Sequence, residues 1–238
     1  MQILRNCPRG NQVKHMSAPL ICPEYAPNPL HFVTAIRILL CMTTENPDDL
    51  KCTIGACRIC APRFAATATG HMPRPVVWFR PGARILIAGQ APGMRVHLAG
   101  RPFADRSGDR LRDWMGLDAA GFYDQTRVAI VPMAFCFPGY DAKGADLPPP
   151  PICAATWRAR VMDVLKPRLT LLVGGHAIRW HLGRRDMTAT VADWRNAPPG
   201  IVPLPHPSWR NTGWLRRNPW FEAELLPVLR RRVAEALA

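Results

Sequence analysis

Four short, uninterrupted apolar runs constrain this chain more than anything else in it: residues 84–88 (RILIA), 128–131 (VAIV), 169–173 (LTLLV) and 201–204 (IVPL). A strand apolar on both faces is a strand covered on both faces, and helix-length segments separate the four, as in buried parallel sheets. The expected fold class is therefore α/β, a three-layer α/β/α sandwich around a four-stranded parallel sheet. Helices are expected at 108–117, 154–165 and 177–182. Another runs from the cap Asn46 and first-turn Pro47 toward Cys60, and a last one from Asn218-Pro219 through Leu225, Leu226, Leu229, Val233 and Leu237. A Pro/Arg-rich connector covers 62–81, and the proline run 148–151 reads as a loop. Cys7, Pro8, Gly10, Pro19, Pro23, Pro27 and Pro29 break every period in 1–45, which reads as a poorly structured extension or a misassigned start, leaving 46–238 as the domain.

The unusual residues fall directly after the runs. Gly89-Gln90-Ala91-Pro92-Gly93 follows the first, Cys136-Phe137-Pro138-Gly139 the second, Gly174-Gly175-His176 the third and Pro205-His206-Pro207-Ser208 the fourth. In an open parallel sheet the carboxyl ends of the strands form the ligand crevice, so four such turns converge on one candidate site.

Charge points to a polyanion as partner. The chain of 238 residues has 31 Lys and Arg against 17 Asp and Glu, a net charge of +14, and residues 1–50 contribute none of it, with four cations and four anions. With 48% hydrophobic residues the chain is too apolar for a basic disordered tail. No apolar run is long enough to span a bilayer. Eight cysteines without a recognisable signal peptide suggest a reducing compartment, where clustered thiols serve metals rather than disulfides.

Singly, the motifs are open to more than one use. The 89–93 turn can cradle phosphate or merely exit a strand, and it lacks the spacing of a dinucleotide-binding loop. His206, between two prolines, is held in the manner of a side chain that must act from a fixed position. Trp209, Arg210, Trp214, Arg216 and Arg217 interleave rings and cations, which suits a nucleic-acid strand and equally suits a solvated loop packed on the core. Phe103, in Gly100-Arg101-Pro102-Phe103, faces either the core or a planar ligand. Cys57 and Cys60, with Cys136 and Cys153 further on, can hold a [4Fe–4S] cluster or a structural zinc.

Taken together, these residues resemble the uracil-DNA glycosylase superfamily, nearest its thermostable iron–sulfur branch of bacteria and archaea. That branch carries Gly-Glu-Ala-Pro-Gly where this chain has residues 89–93, Gly-Arg-Pro-Phe where it has 100–103, and a His-Pro-Ser/Ala turn where it has His206-Pro207-Ser208. The resemblance covers about 48–238. It implies a monofunctional N-glycosylase that flips a damaged base, uracil or a related deaminated base, into a pocket and leaves an abasic site. Gln90 and His206 would then be catalytic, His206 stabilising the leaving base. Gly89, Ala91, Pro92, Gly93, Phe103 and Met133 would line the base pocket, and Ser208, Trp209, Arg210, Arg216 and Arg217 would meet DNA. Cys57, Cys60, Cys136 and Cys153 would ligate a [4Fe–4S] cluster of structural role. The implied partner is damaged DNA, with no membrane, and the implied state a monomer in the cytoplasm near the nucleoid.

Two positions depart from the branch. Gln90 replaces its glutamate and cannot act as a charged base, which leaves Asp105 as a possible substitute. Pro132 stands where the base-reading asparagine is expected, so any reading at that wall falls to backbone groups near Met133 and Ala134. Two alternatives follow: a catalytically weak member that binds DNA or abasic sites, and an α/β enzyme acting on a free nucleotide.

Overall fold

The computed structural model describes residues 45–238, which form one compact unit. Apart from Glu45, the expectation for 1–45 lies outside the described residues. Four strands build the sheet: β1 (Ile85–Ala88), β2 (Val128–Ile130), β3 (Leu169–Val173) and β4 (Ile201–Leu204). All pairings are parallel and the order is β2-β1-β3-β4. The register sets Ile85 beside both Val128 and Leu169, and Thr170 beside Ile201.

Alternation along β1 divides the core into two. Ile85 and Ile87 join a cluster with Leu111, Trp114, Phe221, Leu229 and Val233, whereas Leu86 joins Leu50, Ile54, Trp157 and Val161. The first set draws on α4 (Arg106–Met115) and α10 (Leu226–Leu237); the second on α1 (Pro47–Gly55) and α6 (Pro151–Leu165). Helices cover both faces, which is the α/β/α sandwich. Between these elements lie α2 (Ala61–Ala65), α3 (Met94–Ala99), α5 (Ala119–Tyr123), α7 (Gly175–Leu182), α8 (Met187–Ala192) and α9 (Thr212–Arg217).

Local chemistry shifts several boundaries. The first helix ends at Gly55 rather than near Cys60, because Ala56 closes it by donating its N–H to Cys52 O. The presumed connector contains α2, which has a proline in its first turn. Pro151 opens α6 instead of ending a loop. Asp105 caps α4 by accepting the Gly108 N–H, so that helix starts at Arg106. The C-terminal helix begins with a π-helical turn, Phe221–Leu225. Pro227 follows it and has no N–H for the ordinary helical bond, so the wider turn costs the backbone little there.

Candidate active site and cysteine cavity

A cleft of about 740 Å³ opens at the carboxyl ends of the strands. The whole 89–93 turn lines it, with Phe103 and Asp105 from the loop before α4, Pro132 after β2, and His206, Ser208, Trp209, Arg210 and Asn211 after β4. The four turns do not contribute alike. Gly174 abuts His206, since a Cβ there would lie 3.5 Å from the His206 Cβ, but His176 is not among the lining residues. After β2, Pro132 and Asp146 reach the cleft, whereas Cys136 faces a separate cavity.

The His206 turn is fixed from three sides. Asn211 Nδ2 donates to His206 O at 2.7 Å, Arg110 donates to Ser208 O at 3.1 Å, and the Ser208 N–H donates to His206 Nδ1 at 3.2 Å. An imidazole that accepts at Nδ1 carries its proton on Nε2 when neutral. Burial lowers the pKa of His206, and the nearby Asp105 charge opposes that shift.

Phe103 reaches its place at a conformational cost, with φ at 52°. The Tyr123 hydroxyl donates to its carbonyl at 2.9 Å, and its ring meets Phe122 edge-on with centroids 6.1 Å apart. Behind it stands Gly108, where a Cβ would fall 1.9 Å from Phe103 O. The ring tip is 3.7 Å from the Cβ position of Gly89, so Phe103 and the first turn face each other across one slot.

A sequence model of the uracil DNA glycosylase superfamily matches residues 76–230, a span that contains all four strands and every cleft residue named above. The chain belongs to that superfamily.

Other expected residues of this glycosylase-superfamily site fall at its edges. Trp209 is 74% exposed at the start of a 3₁₀ turn capped by Ser208, whose Oγ accepts the Arg210 N–H, and the Arg210 guanidinium lies 5.9 Å from the indole centroid. Arg216 and Arg217 are exposed on α9 and do not line the cleft. Met133 is 4% exposed and belongs to the main core, not to the cleft wall. The amides of Met133 and Ala134 are committed as well, donating to Gly89 O at 2.9 Å and Gln90 O at 3.1 Å. Neither N–H is left to read a base at that wall.

Sequence reasoning missed Asp146. It comes from a tight loop bridged between Tyr140 and Asp146, and its carboxylate lies 4.0 Å from the Cβ position of Gly93. Burial raises its pKa and the Arg210 cation opposes the rise. Nothing in its local sequence signals this; only the loop closure by Gly139 and Gly144, both at positive φ, brings it to the rim.

Cys57, Cys60, Cys136 and Cys153 all line a second cavity, walled also by Phe64, Phe135 and Trp157. Cys57 and Cys60 precede the matched span and Cys136 and Cys153 lie within it. Burial raises the Cys136 thiol to about 12 and Cys153 to about 11, with neighbouring thiolates adding to both. The Phe135 N–H donates to Cys153 Sγ at 3.5 Å. Among the described residues no three His, Cys, Asp or Glu side chains are grouped so as to hold a single metal ion. The four thiols share one apolar space, and an all-thiolate donor set is one that either a [4Fe–4S] cluster or a structural zinc takes. No described helix is long and apolar enough to cross a membrane.

Proposed function

We propose that this protein is a monofunctional DNA N-glycosylase that removes uracil or a related deaminated base and leaves an abasic site. One observation carries the proposal: His206, its Nδ1 taken by Ser208, shares a slot-shaped cleft with Phe103 and the 89–93 turn. The extruded base stacks on Phe103. As the N-glycosidic bond breaks, its electron pair moves onto the base, and the Nε2–H of His206 hydrogen-bonds the carbonyl oxygen that gains charge. Stabilisation placed where charge develops contributes to kcat rather than to substrate affinity alone. The side-chain amide of Gln90 orients the water that bonds to the sugar carbon, and the water's proton passes to solvent or to the departing base. Asp105, whose charge is felt at His206, supplies the negative field that Gln90 cannot.

The wall at Pro132 offers no N–H, since proline has none and the next two amides are occupied. Selection at that wall is by shape, which extends the substrate class to deaminated bases generally. Trp209 and Arg210 meet the DNA strand, with Arg216 and Arg217 toward its flank. Cys57, Cys60, Cys136 and Cys153 would hold a [4Fe–4S] cluster, whose chemistry there is cross-linking rather than catalysis. We place the protein as a monomer with the DNA of the cytoplasm, near the nucleoid. A second reading, a slow enzyme that mainly binds abasic sites, draws on the absence of a carboxylate from the 89–93 turn.

The test is a panel of single- and double-stranded oligonucleotides carrying uracil, hypoxanthine or xanthine, followed by alkaline cleavage of abasic sites. Strand scission at one or more of these bases is expected. Tight abasic-site binding with no scission at any base decides for the second reading.

A further inference from the structure

Among the described residues, one buried cation has no anion beside it. Arg158, on α6, is 4% exposed, and no carboxylate of the described residues pairs with it. One guanidinium arm donates to Val131 O at 2.6 Å, the other meets His181 Nε2 at 2.7 Å, and Nε is buried without a partner. Guanidinium does not give up its proton in such a site, so His181 Nε2 is the acceptor and the ring proton is on Nδ1. A charge buried without a counter-charge is costly to hold out of water. An apolar residue of the same length would avoid that cost, so packing alone gives no reason for arginine.

What the cation holds is informative. Val131 is the residue immediately before Pro132, the cleft wall, and just beyond the end of β2. From here the chain is strapped to β1 and the turn after it by three backbone bonds: Val131 N–H to Ile87 O at 2.9 Å, then Met133 to Gly89 O and Ala134 to Gln90 O. Pro132 itself can donate nothing. Arg158 therefore anchors the stretch whose amides bond the carbonyls of Gly89 and Gln90, and it does so without itself lining the cleft. His181, from the last turn of α7, fixes the second arm of the guanidinium and hence its direction.

We propose that Arg158 is a positioning residue for the glycosylase reaction: through Val131 O it sets the height of the Pro132 wall and, through the Met133 and Ala134 amides, the place of Gln90. The inference rests on the glycosylase reading for its kinetic consequence. Arg158 touches neither base nor sugar. A displacement of about 1 Å at a reacting geometry can cost on the order of 10²-fold in rate, which sets the expected effect.

The experiment compares Arg158→Met, Arg158→Lys and His181→Ala in the full chain, by single-turnover and steady-state kinetics and by hydrogen exchange over residues 131–136. Arg158→Met removes the buried charge at similar length, so it is expected to keep its melting temperature. Its kcat should fall about 10²-fold while KM for DNA stays within about twofold, because the Trp209 and Arg210 loop is untouched. Exchange at the Met133 and Ala134 amides should quicken about tenfold as that stretch opens locally. Arg158→Lys, which keeps one donor, should recover part of kcat, and His181→Ala should lose less than Arg158→Met. A folded Arg158→Met with wild-type kcat and wild-type exchange overturns the proposal, as does a KM rise with kcat unchanged. If the wild-type protein cleaves no oligonucleotide, the glycosylase reading fails on its own. Exchange then decides the anchoring role: faster exchange in both Arg158→Met and His181→Ala supports it, and unchanged exchange in either sinks it.

Discussion

The backbone N–H of Ser208 and Nδ1 of His206 lie 3.2 Å apart, and that contact decides which ring nitrogen of His206 is left to donate. A histidine bonded at Nδ1 by a carbonyl would present a lone pair to the cleft instead. This one presents Nε2–H, the group a leaving base with growing oxygen charge requires.

His206→Ala should lower kcat by about 10²–10³-fold, the usual cost of one donor aimed at a developing oxyanion. Affinity for an abasic oligonucleotide should hold, since the turn is braced by Asn211 and Arg110 through backbone carbonyls. Single-turnover rates beside a binding isotherm test this, and equal losses in both would place His206 in binding alone.

Asp105→Asn separates capping from charge. Asparagine still accepts the Gly108 N–H, so α4 should keep its start. Asp105's charge is what opposes the burial-driven lowering of the His206 pKa, so its removal should move that pKa further down. Imidazole titration by NMR reads the shift, and a parallel fall in kcat is expected.

Gly108→Ala should be severely damaging although it sits in a helix, where alanine is ordinarily favoured. The added Cβ would fall 1.9 Å from Phe103 O, a backbone atom, so the Phe103 loop must move. Overpacking of this kind costs about 1–3 kcal/mol. Thermal unfolding measures that loss, and activity should drop beyond what the melting temperature explains.

Acid should destabilise the protein through its histidines. Burial is the first cause of lowered pKa at His97, His176, His181 and His206, and His181 is pushed down to about 4 from an ordinary 6.5. The unfolded chain therefore binds more protons than the folded one between those values. Stability is full above about pH 6.5 and is lost as pH falls through the folded values, the His181 part ending near pH 4. His181→Gln, which still accepts from Arg158 and does not titrate, should flatten that limb in melting curves.

Anaerobically purified protein should contain iron and acid-labile sulfide in similar amounts, and Cys136→Ser should reduce both. A protein with neither, or with zinc in their place, rules out the cluster. The same sample, treated with chelator and oxidant, should melt at lower temperature with its DNA contacts otherwise intact.

The strands were legible because burial on both faces leaves no polar alternation to confuse: β3 and β4 coincide with their apolar runs, and β1 and β2 lose only Arg84 and Val131 at their ends. The cleft motifs were legible for the related reason that glycine and proline mark strand exits. Short helices such as α3 and α5 were not, since five or six residues carry too little period to register. Met133 was misplaced because a turn's sequence does not say which of its side chains turns inward. Asp146 and Arg158 were invisible for a different reason: the first depends on loop closure and the second on contacts with Val131 and His181 that are 27 and 23 residues away.

Trp209 has a further consequence. Large rings are rarely left in water, and this one stands there, 74% exposed on a 3₁₀ turn capped by Ser208. Drawing a base out of the stack costs a few kcal/mol. On the proposed glycosylase reading, with Trp209 as the ring that fills the gap, the free protein stores part of that sum as hydration of an indole. On that reading its cost falls between encounters with DNA, as a surface prone to stick, and a net charge of +14 would both hold such molecules apart in solution and draw them to a duplex.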